Sequence, residues 1–118
     1  MFKYSIYLLI ILLSQACSAQ NCTDLPDKFK TYAEASSNIS SATFKISESV
    51  NTSKSSWIRS AKYKSCDGET GYFLYKTDVK EYIHKGVPIS IWKGFKEAES
   101  FGSYYNRYIK RRYQLIPG

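Results

Sequence analysis

The stretch WIRSAKYKSCDGETGYFLYKTDVKEYIHK, residues 57–85, decides the fold. It contains three runs rich in aromatic and β-branched residues, which are typical of strands. The turn sequence CDGETG separates the first two runs, and TDVK separates the second from the third. Connections as short as these join antiparallel neighbours. The stretch therefore predicts a three-stranded antiparallel meander with strands at 57–64, 72–75 and 81–85.

Two helices are expected after the meander. Pro88 is tolerated in the first turn of a helix, and apolar residues then recur at helical spacing at Ile91, Trp92, Phe95 and Ala98. Gly102 is expected to end this helix with the positive φ that glycine permits. Ser103 is expected to cap a second helix, whose inward-facing residues are Phe101, Tyr105, Tyr108 and Ile109.

The N-terminal part of the chain predicts one helix and one strand. The helix opens at Leu25-Pro26-Asp27 and runs to about Ala35, where the serine-rich residues 36–41 end it. Alternation over residues 43–50 predicts a strand with Phe44, Ile46 and Val50 on one side. Polar residues 51–56 are interpreted as a seam between an N-terminal extension, 20–54, and a C-terminal domain, 55–118. The predicted fold class is α+β: an N-terminal helix and strand, then a three-stranded antiparallel meander followed by two C-terminal helices.

The order of short motifs over residues 55–113 resembles that of the KTSC domain family. Its hallmarks are Tyr-x-Tyr, Val-Pro, Ala-x-Ser-x-Gly and Asn-x-x-Ile-Lys, and here the matching residues include Val87, Pro88, Ala98, Ser100, Gly102, Asn106, Ile109 and Lys110. His84 stands where the second tyrosine of Tyr-x-Tyr is usual, and residues 77–80 lack a glycine. The family is named after the C-terminal domain of some lysyl-tRNA synthetases, a context that implies RNA binding as one activity. The first fifty-odd residues are similar to those of small exported bacterial proteins that carry this domain.

The first nineteen residues predict export. Lys3 precedes an apolar run over residues 4–13, and Ser18-Ala19 provides the small residues that a signal peptidase accepts. Ten apolar residues are too few for a membrane-spanning helix, which needs about 20. Residues 1–19 are therefore interpreted as a signal peptide, and the protein is expected in the periplasm or outside the cell. The alternative is a lipoprotein acylated at Cys17, because residues 14–17 form a loose lipobox.

Cleavage after Ala19 leaves Cys22 and Cys66 as the only cysteines, and two thiols in an oxidising compartment predict a disulfide. A reactive thiol and a metal pair are the alternatives. No second cysteine or histidine lies near either residue in sequence, and the chain has no metal-ligand spacing and no phosphate-binding glycine loop. No metal or cofactor is therefore expected.

Charge indicates the kind of partner. The chain carries a net charge of +7, which falls to +6 without Lys3, and a basic surface favours nucleic acid, anionic lipid or acidic glycan. On the last predicted helix, Arg107, Lys110 and Arg111 share one face, and Arg112 extends it. An alternative interpretation is an ordinary solvated face. The candidate binding residues are Arg107, Lys110, Arg111, Arg112, Tyr104, Asn106 and His84.

No catalytic constellation is recognisable. His84 is the only histidine, no adjacent serine or cysteine forms a dyad with it, and it is interpreted as a half-buried packing residue. Asp67 and Glu69 are interpreted as a solvated hairpin tip. The sequence thus predicts an exported, non-catalytic binding or accessory module. The alternatives are RNA binding through the basic, aromatic C-terminal unit and a small hydrolase that uses His84.

Overall fold

A computed structural model of the chain describes residues 20–116. The predicted signal peptide, residues 1–19, and the alternative acylation site Cys17 lie outside the described residues. Between residues 20 and 116, no helix has the length and apolar character that a membrane span requires.

The central sheet is a four-stranded antiparallel meander, one strand larger than predicted. Two short strands, β1 (Gln20–Asn21) and β2 (Ala42–Thr43), pair in parallel outside it. The sheet itself has the order β3-β4-β5-β6, with strands at Ile46–Val50, Ser60–Ser65, Thr70–Lys76 and Glu81–Pro88.

The prediction of three strands is wrong because β3 pairs over its whole length with β4, from Ile46 opposite Ser65 to Val50 opposite Ala61. The polar residues 51–56 belong to the connection between these two strands. They are therefore a hairpin loop of the same sheet, and one strand of the sheet comes from the predicted extension.

Three helices accompany the sheet. They are α1 (Tyr32–Ser41), α2 (Ile89–Glu97) and the short α3 (Phe101–Tyr104), which continues into a π-helical turn at Tyr105–Ile109. A 3₁₀ turn covers Cys22–Asp24. The α+β class and the two helices after the meander agree with the prediction.

The N-terminal helix lies later in the chain than predicted. The Thr31 hydroxyl accepts a hydrogen bond from the Glu34 N–H (3.1 Å), and a Glu34 carboxylate oxygen accepts one from the Lys30 N–H (3.1 Å). This reciprocal arrangement is close to a capping box and starts the helix at Tyr32. The serine-rich residues 36–41, predicted to end the helix, form its second half, because Ala35 and Ile39 four residues apart are both fully buried.

The strand predicted over residues 43–50 is interrupted. β2 ends at Thr43 and β3 begins at Ile46. Phe44 therefore contacts one hydrophobic cluster, whereas Ile46 and Val50 contact another. The expectation that all three share one side is wrong, because a bend at residues 44 and 45 resets the alternation.

The sheet separates two hydrophobic clusters of unequal size. The larger lies between the sheet and α2, α3 and the π turn, and its buried centre includes Tyr63, Phe73, Val87, Trp92, Phe95 and Ile109. The smaller lies under α1 and includes Phe29, Ala35, Ile39, Leu74, Ile83 and Leu115. The chain thus forms three layers, with α1 on one face of the sheet and the C-terminal helices on the other.

The larger cluster also holds the edge strand β3 in place. The Trp92 indole stacks on Tyr63 with ring centroids 5.4 Å apart and donates a 2.8 Å hydrogen bond to the Glu48 carboxylate. Lys96 donates to the same oxygen (2.9 Å), and these two bonds lower the pKa of Glu48. Because Glu48 belongs to β3 and both donors belong to α2, the helix links the edge strand to the core.

Gly102 has a different role from the one predicted. The helix α2 ends at Glu97, and Gly102 lies inside α3 without a positive φ. A Cβ at this position would overlap the Trp57 indole, so the glycine provides room for an aromatic ring. The predicted cap at Ser103 is instead Ser100, whose hydroxyl accepts from the Ser103 N–H (3.2 Å).

The disulfide prediction agrees with the structure. Cys22 and Cys66 are bonded, with Cα atoms 5.8 Å apart and a separation of 44 positions in sequence. The bond joins the N-terminal 3₁₀ turn to the loop between β4 and β5.

We expect the Cys22→Ser/Cys66→Ser variant to lose up to about 4 kcal/mol of unfolding free energy, because the bridge restricts the unfolded chain. Urea denaturation measures the loss. Intact-mass analysis of the parent protein should show two hydrogens gained on reduction. Two free thiols in protein purified from its native compartment would contradict the prediction.

We expect Gly102→Ala to destabilise the fold by about 1–3 kcal/mol despite the better helix propensity of alanine, because the added methyl group overlaps Trp57. Ser90→Ala, at an exposed position of α2, is the control and should change stability little. In a double-mutant cycle, Trp57→Phe should relieve part of the Gly102→Ala loss. Additive effects of the two substitutions would show that the overlap is not the cause.

Candidate functional site

The aromatic and basic side chains near the C-terminus lie close together. The exposed Arg107 guanidinium is 5.4 Å from the centroid of the Tyr108 ring, a cation–π distance, and the Tyr108 ring is 4.6 Å from that of Tyr104. Tyr104 is fixed because its hydroxyl donates to the Ile91 carbonyl oxygen (3.0 Å). We call the side chains of Tyr104, Arg107, Tyr108, Lys110, Arg111 and Arg112 the C-terminal surface.

Tyr108 departs from its predicted inward position. Its side chain is 38% exposed, whereas Tyr105 and Ile109 are buried as predicted. The helical spacing placed Tyr108 beside Tyr105, but the π turn widens the helix and rotates Tyr108 outward. The prediction that Tyr108 faces inward is therefore wrong, and its ring is an exposed aromatic group next to Arg107.

A shallow groove of about 420 Å³ lies at the β3–β4 hairpin, and another of about 290 Å³ lies beside the C-terminal surface. The second groove runs between the α2–α3 connection and α3. Its lining residues are Ala98, Glu99, Ser100, Ser103, Tyr104, Arg107 and Tyr108. It presents aromatic carbon, hydroxyl groups, one guanidinium and one carboxylate to a ligand.

The predicted helical face of Arg107, Lys110 and Arg111 does not form. The helix ends at Ile109, and Lys110 takes an extended backbone. Arg111 has a φ of 66°, the left-handed region that a side chain rarely adopts. Lys110, Arg111 and Arg112 are exposed and form a tight basic turn that follows Arg107. The structure therefore places Lys110, Arg111 and Arg112 in a turn that follows Arg107, instead of on one helical face.

Asn106, a further candidate, is exposed on the π turn. Nothing in the described structure bonds its side chain to the preceding loop. The backbone at the start of α3 is capped by Ser100.

His84 forms hydrogen bonds to Tyr105, which precedes the basic turn, and to Tyr113, which follows it. Its Nδ1 is 3.0 Å from the Tyr113 carbonyl oxygen, and its Nε2 is 2.9 Å from the Tyr105 hydroxyl. The Lys85 N–H donates to the same Tyr113 oxygen (3.2 Å), and Gln114 forms a β-bridge with His84. The segment after the basic turn is thereby held along the outer edge of β6.

These contacts define the proton positions on His84. A carbonyl oxygen only accepts, so Nδ1 carries the hydrogen, and Nε2 of the neutral ring accepts from the Tyr105 hydroxyl. The Tyr105 oxygen in turn accepts from the Tyr75 hydroxyl (2.9 Å). Burial raises the pKa of both phenols, so both remain donors. Burial also lowers the pKa of His84, against the smaller effect of the Tyr113 hydrogen bond.

The acidic residues near the disulfide belong to a turn. One Asp67 oxygen accepts from the Glu69 N–H (2.8 Å) and the Thr70 N–H (3.0 Å), and these bonds lower the pKa of Asp67. Both acidic side chains are exposed, as expected for a hairpin tip. Within residues 20–116, no three histidine, cysteine or acidic side chains form a group that could hold a metal ion.

Comparison with known proteins identifies the domain. The family model described as KTSC domain matches residues 54–113, just over half of the 118-residue chain. No curated protein and no solved structure matches the chain. The matched range contains β4–β6, α2, α3 and the C-terminal surface, whereas β3 lies before it. The chain therefore belongs to the KTSC domain family.

Proposed function

We propose that this protein is an exported, non-catalytic binding module that engages an anionic partner through its C-terminal surface. The observation that carries the proposal is the contact between Arg107 and the exposed ring of Tyr108, beside an open groove. An aromatic ring with a guanidinium stacked on it offers both contact area and positive charge at one place.

The charge of this surface is largely uncompensated. In the described part of the chain, Arg107 and the three cations of the basic turn form no ion pair. Glu99 is the carboxylate that lines the neighbouring groove. Four exposed cations against one carboxylate favour an anionic partner.

The state of His84 supports a non-catalytic role. A general base needs a free lone pair within reach of a substrate. Here Nε2 accepts from Tyr105 and Nδ1 donates to Tyr113, so both nitrogens serve the fold. Among the residues that the structure describes, the side-chain partners of His84 include no serine and no cysteine.

Export is the compartment that fits the disulfide best. A structural disulfide persists in oxidising compartments and is rare in the cytosol. The signal-like residues 1–19 add independent support from sequence. A lipoprotein acylated at Cys17 is the alternative arrangement, and it places the same domain at a membrane surface.

RNA binding is a second candidate function. The specific observation in its favour is the neighbouring pair Tyr104 and Tyr108 with Arg107, because proteins bind single strands by stacking bases on aromatic rings beside cations. Export separates the protein from tRNA and makes an extracellular or envelope anion the preferred partner.

We expect the Arg107→Gln/Lys110→Gln/Arg111→Gln variant to fold normally and to bind the preferred anion more weakly than the Lys28→Gln/Lys30→Gln/Lys93→Gln variant, which removes the same charge elsewhere. Binding of an acidic glycan, a single-stranded RNA and anionic vesicles is measured at two salt concentrations. The first variant should also flatten the salt dependence. Equal losses from the two variants would mean that only net charge matters.

We expect the stability of the protein to fall as the pH drops below about 6.5, the ordinary pKa of histidine. The folded-state pKa of His84 is lowered, so the unfolded chain takes up the proton first and stability decreases with acidification. Protonated Nε2 cannot accept from Tyr105. Urea denaturation from pH 7 to pH 5 measures the slope.

The control is His84→Gln, which removes the only titrating imidazole and should flatten this slope. Equal slopes in the two proteins would exclude His84 as their source. If the unfolding free energy of the parent protein does not change between pH 7 and pH 5, the prediction is contradicted, because protonation of His84 would then cost the folded state nothing.

A further inference from the structure

Part of the sheet face on the α1 side is open, because Ser47, Ser49 and Lys62 on β3 and β4 are exposed. The helix packs through Ala35 and Ile39 against Leu74 of β5 and Ile83 of β6. The strands β3 and β4 extend beyond this contact, and their residues on the same face are polar. An open sheet face of this kind is therefore present on the side opposite the C-terminal surface.

The register places serines and lysines in regular rows on this open face. Ser49 lies directly opposite Lys62, and Ser47 lies directly opposite Lys64. Directly opposed residues of antiparallel strands project to the same face. Ser60 precedes Lys62 by two residues and shares its face. We call Ser47, Ser49, Ser60, Lys62 and Lys64 the serine–lysine face.

The two lysines are crowded without a counter-ion. Same-face neighbours on a strand are about 6.6 Å apart at the backbone. Burial and the charge of Lys62 both lower the pKa of Lys64, and the smaller opposing effect comes from Glu81. The Glu81 carboxylate already accepts from the Ser36 hydroxyl (2.8 Å). Across residues 20–116, neither lysine takes part in an ion pair.

We propose that the serine–lysine face binds a linear acidic polysaccharide. Two cations at a fixed spacing on a rigid sheet suit the repeated charges of such a chain, and binding would relieve the repulsion between the lysines. Three interleaved hydroxyl groups can bond to sugar hydroxyls between the charged groups. This site goes beyond the proposed function, because it lies on the other side of the sheet and uses other residues.

The surroundings of the face favour a polysaccharide over other polyanions. The nearby rings of Phe44 and Tyr72 are half-buried and pack edge to face with centroids 6.1 Å apart, so they offer no free surface for base stacking. The Lys64 ammonium lies 5.8 Å above the Phe44 ring and covers it further. Between residues 20 and 116, the exposed large apolar side chains are Tyr32, Val79 and Tyr108, and none of them belongs to β3 or β4, so these two strands offer no apolar anchor for a bilayer.

Titration of the full mature chain with oligogalacturonate, a linear carboxylated glycan, tests the proposal. Amide chemical shifts should change along β3 and β4 at Ser47, Ser49 and residues 60–64. The Lys62→Gln/Lys64→Gln variant should bind about tenfold more weakly, the loss that two exposed charge contacts together produce. The matched control, Lys28→Gln/Lys30→Gln, should bind within about twofold of the parent protein.

Further measurements distinguish the contribution of the ligand's charge from that of its hydroxyl groups. They also distinguish binding at the serine–lysine face from binding at the C-terminal surface. Ser47→Ala/Ser49→Ala should weaken glycan binding, whereas neutral dextran should not bind. The triple variant of the C-terminal surface should retain the shift changes on β3 and β4, so the two proposals can fail independently. Unchanged unfolding midpoints show that each variant folds.

Three results would overturn the proposal. They are equal losses in the two lysine variants, shift changes that avoid β3 and β4, and tighter binding of a uridylate oligomer or phosphatidylglycerol vesicles to this face. The last result would assign the face to nucleic acid or to a membrane.

Discussion

The packing of aromatic rings around Phe73 is the constraint on which the rest of the structure depends. Phe73 is fully buried in the middle of β5, with its ring 4.9 Å from Phe95 and 5.9 Å from Trp92. The same ring lies 6.3 Å from Tyr105. One residue of the sheet thus contacts both α2 and the π turn. Loss of a buried phenylalanine of this kind costs about 3–5 kcal/mol, a large share of the stability of a small domain.

Two members of this aromatic cluster, Trp92 and Tyr105, also form hydrogen bonds to polar groups outside it. Trp92 reaches out of the cluster to Glu48 and so connects α2 to the edge strand β3. At the other end, the Tyr105 hydroxyl donates a hydrogen bond to His84, and His84 donates one to the Tyr113 carbonyl oxygen. The basic turn therefore begins and ends at residues that the core immobilises. Its cations, Lys110, Arg111 and Arg112, are exposed on that backbone.

The two faces of the sheet carry different chemistry. The C-terminal surface combines cations with an exposed tyrosine, whereas the serine–lysine face combines cations with hydroxyl groups on a flat strand pair. The disulfide between Cys22 and Cys66 joins the N-terminal segment to the loop between β4 and β5. With 97 described residues, the domain has a modest core, and a covalent link of this kind adds stability that packing alone does not supply.

The sequence by itself determined the local elements, the disulfide and the family. Turn residues at 66–71 and 77–80 predicted the meander, because hairpin chemistry is local. Motif order predicted the KTSC domain, and the two cysteines that follow the predicted signal peptide, Cys22 and Cys66, predicted the disulfide. The start of the N-terminal helix is also encoded locally, because Thr31 and Glu34 have the spacing of a helix cap.

Only the tertiary structure decided which distant residues meet. β3 joined the sheet because pairing with β4 satisfies its backbone across a nine-residue connection whose composition resembles a linker. Gly102 accommodates Trp57, a contact between residues 45 positions apart, rather than a helix end. The π turn exposed Tyr108 and separated Arg107 from the basic turn, since burial of Tyr105 and Ile109 outweighed regular helical spacing. Such outcomes depend on packing between elements, and no local pattern encodes them.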